Sequence, residues 1–125
     1  MPRYVILEHD WPEYHFDLFL DAGDALRAWK LPADFSPLIL TTVEPNDLHR
    51  RHYLDYEGAI SDGRGVALRW DFGEFVWLSA DLLTPSAAEK ESGDEVFHAS
   101  FKGHQLKGIY EWRKTASGWT FGPVT

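Results

Sequence analysis

"YHFDLFLDAGDALRAWKL", residues 14–31, decides the fold class. Its first seven residues alternate. Tyr14, Phe16, Leu18 and Leu20 fall on one face of an extended chain, and His15, Asp17, Phe19 and Asp21 on the other. A period of two over an apolar run is a β-strand, with the first set as the core side of a half-buried strand. Asp21-Ala22-Gly23-Asp24 then reads as a hairpin turn, and "ALRAWKL" (25–31) as the returning strand, stopped by Pro32.

The same grammar repeats along the chain. "YVILEH" (4–9) precedes Trp11-Pro12. "PLILTTV" (37–43) stops at Glu44-Pro45-Asn46-Asp47. "RGVALRW" (64–70) and "EFVWLSA" (74–80) flank Asp71-Phe72-Gly73, which reads as another tight hairpin. "EVFHASF" (95–101), "KGIYEWR" (107–113) and "GWTFGPV" (118–124) complete the set. Residues 46–56 have the makings of a short helical turn capped by Asn46 or Asp47. "TPSAAEKESGDE" (84–95) is the longest loop candidate. The expectation is an all-β chain with a minor helical part, an antiparallel sandwich or barrel. At 125 residues, with no linker or internal repeat, residues 1–125 form a single domain.

Composition narrows the function. There is no cysteine, so disulfides and thiolate zinc sites are excluded, and any metal must be held by His, Asp or Glu. No apolar run approaches a membrane span and the N-terminus lacks a signal-peptide core, so a soluble cytoplasmic protein without membrane partners is expected. The net charge of −8 argues against a non-specific nucleic-acid binder. Residues 1–62 hold 12 acids and 5 bases, whereas residues 63–125 hold 8 and 7. A solvated acidic surface is the plain explanation; a divalent cation in the acidic half is the alternative.

That acidic half contains His9, His15 and Asp17. His15 and Asp17 share a strand face, about 7 Å apart along the strand. The turn at Trp11-Pro12-Glu13 is able to return His9 beside them. Two imidazoles and a carboxylate are a common donor set for a divalent metal with open positions, which activates water or polarises a phosphoryl oxygen. The spacing by itself fits solvent-facing residues on an exposed strand face equally, and that is the commoner case. A second cluster lies in "NDLHRRHYLDYEG" (46–58). His49 and Tyr53, four apart, share a face if this segment is helical, and such a pair hydrogen-bonds phosphate or passes a proton. Arg50 and Arg51 add possible phosphate contacts. A surface loop with aromatic anchors is the competing reading. His98 and His104 have no matching partners, His52 adjoins the second cluster but by helical spacing need not face the same way as His49, and the six tryptophans read as core.

Together these pieces resemble the 3'-phosphoesterase domain of bacterial ATP-dependent DNA ligase D, which also occurs as a stand-alone protein. The family's H-x5-H-Y-D-F-R-L strand is matched by His9 and His15-Phe16-Asp17-Leu18-Phe19-Leu20. Its tryptophan-to-proline segment is matched by Trp29-Lys30-Leu31-Pro32, and its E-D-H-P-L-D-Y and F-E-G by Asp47-Leu48-His49, Tyr53 and Tyr56-Glu57-Gly58. Its W-D-x-G appears as Trp70-Asp71-Phe72-Gly73 and its L-K-G as Leu106-Lys107-Gly108. The likeness runs from about Tyr4 to Lys114. It implies a compact antiparallel β-barrel and a manganese-type ion (Mn2+) held by His9, His15 and Asp17. His49 and Tyr53 would be the catalytic residues, with His49 transferring the proton. The implied substrates are DNA 3' ends carrying a 3'-ribonucleotide or 3'-phosphate, in repair by end joining. A monomer working with a separate ligase or polymerase is the implied setting. Two departures stand out. Phe19 occupies the position of a phosphate-gripping arginine, and Thr41 or Thr42 that of a second. They open two other readings: a non-catalytic repair module of the same fold, and an iron oxygenase in which His15, Asp17 and His49 imitate a facial triad.

Overall fold

In the computed structural model, which describes residues 2–78 and 95–124, strand follows strand. β1 spans Arg3–His9, β2 His15–Asp21, β3 Leu26–Leu31 and β4 Thr41–His49. A 3-10 turn, Arg51–Leu54, comes next, then β5 Gly58–Ala59 and β6 Val66–Trp77. β7 Glu95–Gly103, β8 Lys107–Thr115 and β9 Gly118–Pro123 end the chain. All pairings are antiparallel. The sheet runs β1-β2-β3-β4-β9-β8-β7-β6-β5, and β1 also pairs with β6. That pairing closes eight strands into a barrel, which abolishes the free edges. β5 lies outside the ring, on β6.

The barrel interior is aromatic. Trp112 and Phe121 meet at 4.7 Å between ring centroids, and Tyr4 and Phe101 at 4.9 Å. Phe16, Leu18 and Leu20 from β2 join them. This much follows the alternation. The other face of β2 does not: His15, Asp17 and Phe19 are also buried, at 7%, 9% and 2% exposure. The strand is therefore not half-buried, and its second face is not open to solvent. The 3-10 turn lies against β1 and β2. A second apolar cluster forms there from Val5, Leu7, Phe19, Leu26, Ala28, Leu54 and Ala67. Each large side chain buried this way contributes about 1.5–3 kcal/mol, so the covering segment is held by packing as well as by its ends.

Three sequence expectations are corrected. Asp71-Phe72-Gly73 is not a hairpin: β6 runs unbroken through it. Opposite Ile6 and Leu7 the β6 partner jumps from Asp71 to Arg69, so Trp70 is an extra, bulged residue. The bulge reverses the alternation, putting Asp71 inside with Tyr4 and Ala67 outside with Leu7. Alternation read across a bulge breaks into two runs, and a D-x-G between them then resembles a turn. Next, residues 37–40 are not strand, and Leu38, Ile39 and Leu40 are exposed. β4 starts at Thr41 and continues through Pro45. Its pairing with β9 ends at Val43, after which β3 is its only paired neighbour among the described residues, so a proline there meets a ladder on one side. Third, Asn46 and Asp47 cap no helix: they lie in β4, and Arg50 precedes the 3-10 turn without a side-chain cap. Most of the loop candidate 84–95 lies outside the described residues, as does the end of the 74–80 run.

Asp71 organises the far side of the barrel. It is 1% exposed and accepts from the Tyr4 hydroxyl and from the backbone N–H groups of His104, Gln105 and Leu106, at 2.9–3.0 Å for the three amides. One carboxylate thereby holds the β7–β8 turn against β1 and β6. Burial, then the bond to Asp71, pushes the Tyr4 phenol far above its ordinary pKa. Gly103 passes so close that a Cβ would meet the Tyr4 hydroxyl.

Candidate metal centre

His9 closes β1 and His15 opens β2, and the two are direct cross-strand partners. Their rings lie 5.0 Å apart. Asp17 is one pleat further along β2 on the same face. One donor atom from each of the three residues lies within 4.8 Å of the others. The hydrogen bonds behind these donors give the group its meaning. His15 Nδ1 lies 2.7 Å from the Glu13 carbonyl and His9 Nε2 2.8 Å from the Arg64 carbonyl. A carbonyl only accepts, so each of these nitrogens carries a proton. In a neutral imidazole the other nitrogen is then a lone pair. Those other nitrogens, His15 Nε2 and His9 Nδ1, face Asp17 Oδ1 and Oδ2 at 3.1 and 3.3 Å. Acceptors thus meet acceptors, unless both rings are imidazolium or a cation sits among them. Backbone carbonyls that fix the tautomer of ligating histidines are the usual outer support of a metal site.

The supports have their own cause. Asp10 Oδ1 accepts from the Val66 amide at 2.7 Å, drawing residues 64–66 onto the end of β1. Gly65 makes this possible: its φ is +81°, and a Cβ there would collide with Asp10 and Trp11. The Arg64 carbonyl is thereby presented to His9.

Beside the triad opens a pocket of about 280 Å³. Its floor includes Leu7, Phe19 and Ala67, and Trp11, Lys30, Asn46, His49, Tyr53, Ile60 and Arg64 also line it. Phe19 packs against both aromatic residues of the second cluster, 4.8 Å from the His49 ring and 5.8 Å from Tyr53. His49 and Tyr53 do come together, at 5.9 Å. They do so by a route other than helical spacing: His49 ends β4, Tyr53 sits in the 3-10 turn, and Phe19 is the surface both pack on. His49 Nδ1 donates to the Asp47 carbonyl at 2.7 Å, which leaves Nε2 as its exchangeable position. Two ion pairs fasten the turn that carries Tyr53. Arg51 binds Asp21 at 2.6 and 3.0 Å, and Arg3 binds Asp55 at 2.9 and 3.2 Å.

A model of the DNA ligase D 3'-phosphoesterase domain matches residues 7–114. The chain belongs to this family. No curated protein matches it. Family membership gives the chain a DNA ligase D 3'-phosphoesterase-like function and, in general terms, a DNA 3' end as substrate. Among the described residues no helix is long and apolar enough to cross a membrane.

Most of the arginines are engaged away from the pocket. Arg51 is bound to Asp21, and neither it nor the exposed Arg50 lines the pocket. Arg3 binds Asp55, Arg69 contacts Glu57 and the Phe72 ring, and Arg27 lies over Trp77 and Phe97. Thr41 and Thr42 pair with β9, away from the pocket. The basic side chains at the pocket are Lys30 and Arg64, both missed in the sequence. Lys30 was within reach: on β3 it shares a face with Leu26 and Ala28 and is the register partner of Asp17. Arg64 had only a weak signal, the glycine after it, because its part is played largely by a backbone carbonyl. Of the remaining histidines, His98 binds Glu111, His104 lies in the β7–β8 turn, and His52 stacks on Tyr53. His49 stays outside the converging donor group, whose third member is His9. Trp11 is exposed at the pocket mouth, while the other five tryptophans belong to or pack against the core.

Proposed function

We propose that this chain is a divalent-metal-dependent phosphoesterase that trims DNA 3' ends, with His9 Nδ1, His15 Nε2 and Asp17 as the metal donors. The observation that carries the reading is the tautomer constraint. Two imidazole nitrogens, each fixed from behind by a backbone carbonyl, point lone pairs at one carboxylate. The set of nitrogen and oxygen donors suits manganese or a similar ion. Such an ion, when bound, supplies a Lewis acid for a phosphoryl oxygen and lowers the pKa of a coordinated water.

The chain's own residues do the rest. His49, held at Nδ1 by Asp47, keeps an Nε2 lone pair that takes a proton from the attacking water and passes it to the leaving oxygen. The Tyr53 hydroxyl donates to a non-bridging phosphate oxygen. Lys30 and Arg64 offset the negative charge of the bound strand at the rim. Phe19, Leu7 and Ala67 keep water from beneath the site. A separate polymerase or ligase requires a free 3'-hydroxyl, which forms only once the terminal phosphate has been removed as well.

The test is a primer–template ending in a 3'-ribonucleotide, incubated with protein and Mn2+. Shortening of the primer is expected, abolished by chelator and slowed about 10²–10⁴-fold in His49→Asn. No shortening with enzyme saturating the DNA would overturn the reading. If Mn2+ and DNA still bind, the chain is instead a non-catalytic module, a reading that the buried, uncharged Phe19 favours.

A further inference from the structure

We infer that Phe19 makes this site selective for monoanionic phosphodiesters over dianionic phosphomonoesters, so that the chain detaches a terminal nucleoside and leaves the phosphate behind. The inference rests on the phosphoesterase reading above and concerns which phosphate that site accepts.

Charge and burial carry it. A divalent ion beside the Asp17 carboxylate leaves a net charge of one at the centre. A diester phosphate matches that, whereas a monoester carries close to one further negative charge at neutral pH. Two basic side chains line the pocket, Lys30 and Arg64. Arg64 is exposed, and its guanidinium is bound to Ser61, Nε to the carbonyl at 2.8 Å and an Nη to the hydroxyl at 3.1 Å. Lys30 offers a single point charge without a planar fork. Beneath the site, where a second charged oxygen would need donors, Phe19 is 2% exposed and packed against both His49 and Tyr53. An anionic oxygen held against that ring loses hydration and gains no hydrogen bond, while an ester oxygen loses much less. The side of the pocket toward solvent favours a diester as well. Trp11, 42% exposed, and Ile60 offer an apolar surface to the second ester substituent, which a monoester lacks.

Two measurements test the inference. A primer with one 3'-ribonucleotide is incubated with full-length protein and Mn2+, and the ends are resolved with and without added phosphatase. Accumulation of 3'-phosphate ends is expected, with the second step at least tenfold slower than the first. Phe19→Arg restores a guanidinium fork and shifts the monoester-to-diester rate ratio at least tenfold toward the monoester. Phe19→Leu, similar in polarity, keeps the wild-type ratio. Comparable rates for both steps in the wild type would overturn the inference and leave the phosphoesterase reading intact. Absence of both steps would overturn that reading. Calorimetry then decides the inference separately, without turnover and without need of a folded Phe19→Arg protein. Dimethyl phosphate is expected to bind the Mn2+-loaded wild type at least as tightly as inorganic phosphate, and tighter binding of inorganic phosphate would overturn the inference.

Discussion

Asp71 and Asp17 are both buried carboxylates on the barrel wall, and they are buried in opposite ways. Asp71 is met by donors: a phenol and three amides of its own chain. It needs nothing more. Asp17 is met by two imidazole nitrogens whose rings have already given a proton to carbonyls elsewhere. It needs a cation or two extra protons. A buried charge is tolerated only when compensated, so the first carboxylate is a finished structural joint and the second is half of a binding site. The same residue type at similar burial thus serves stability in one place and chemistry in the other.

Substitution should separate the two. The largest stability loss is expected for Asp71→Ala, which strands four donors, the Tyr4 hydroxyl and Leu106 amide among them buried, and detaches the β7–β8 turn. A cost on the order of 3 kcal/mol or more in urea unfolding follows from unpaired buried groups. A cost under about 1 kcal/mol would remove Asp71 from its role as a joint.

The second contrast is with Asp17→Asn. In metal-free buffer this change should cost less than Asp71→Ala, because no set of backbone donors depends on Asp17. With Mn2+ the ranking shifts: wild type gains about 2.7 kcal/mol at a hundredfold excess over Kd, and Asp17→Asn should gain little. Thermal unfolding with Mn2+ and with chelator reads this directly. An equal rise in both proteins would show that the ion binds elsewhere.

The smallest effect concerns the pairs at the ends of the 3-10 turn. The bond from Arg51 holds the Asp21 carboxyl below its ordinary pKa, and Arg3 does the same for Asp55. A depressed carboxyl stabilises the fold above its unfolded pKa, and that contribution disappears as pH falls through the folded value. The melting difference between wild type and Asp21→Asn should therefore be small, present at pH 6, and gone well below about pH 4. A difference that persists at lower pH would mean that Asp21 acts by packing.

Much of this was legible in the chain itself. Strict alternation in β2 separated Phe16, Leu18 and Leu20 from His15, Asp17 and Phe19, and that one division defines both the core and the site. It could not show that the second face is buried, because the cover comes from residues 51–67, distant in sequence. The strand through Asp71 was hidden by a bulge, and β4 by a proline that is harmless where one neighbour has ended. His49 and Tyr53 were paired for a helical reason that does not hold; Phe19 joins them instead. Backbone carbonyls, which fix both histidines, have no letter of their own in a sequence.

The roof over the pocket is tied down at its two ends by Arg51–Asp21 and Arg3–Asp55, with the arginine side chains about half exposed. Ion pairs of this sort are weakened by salt, whose screening length shrinks from about 10 Å at 0.1 M to 3 Å at 1 M. The aromatic barrel beneath has no comparable dependence. Rising ionic strength should then loosen the segment carrying Tyr53 while the barrel stays folded, giving the site a sensitivity to its medium that the fold does not share.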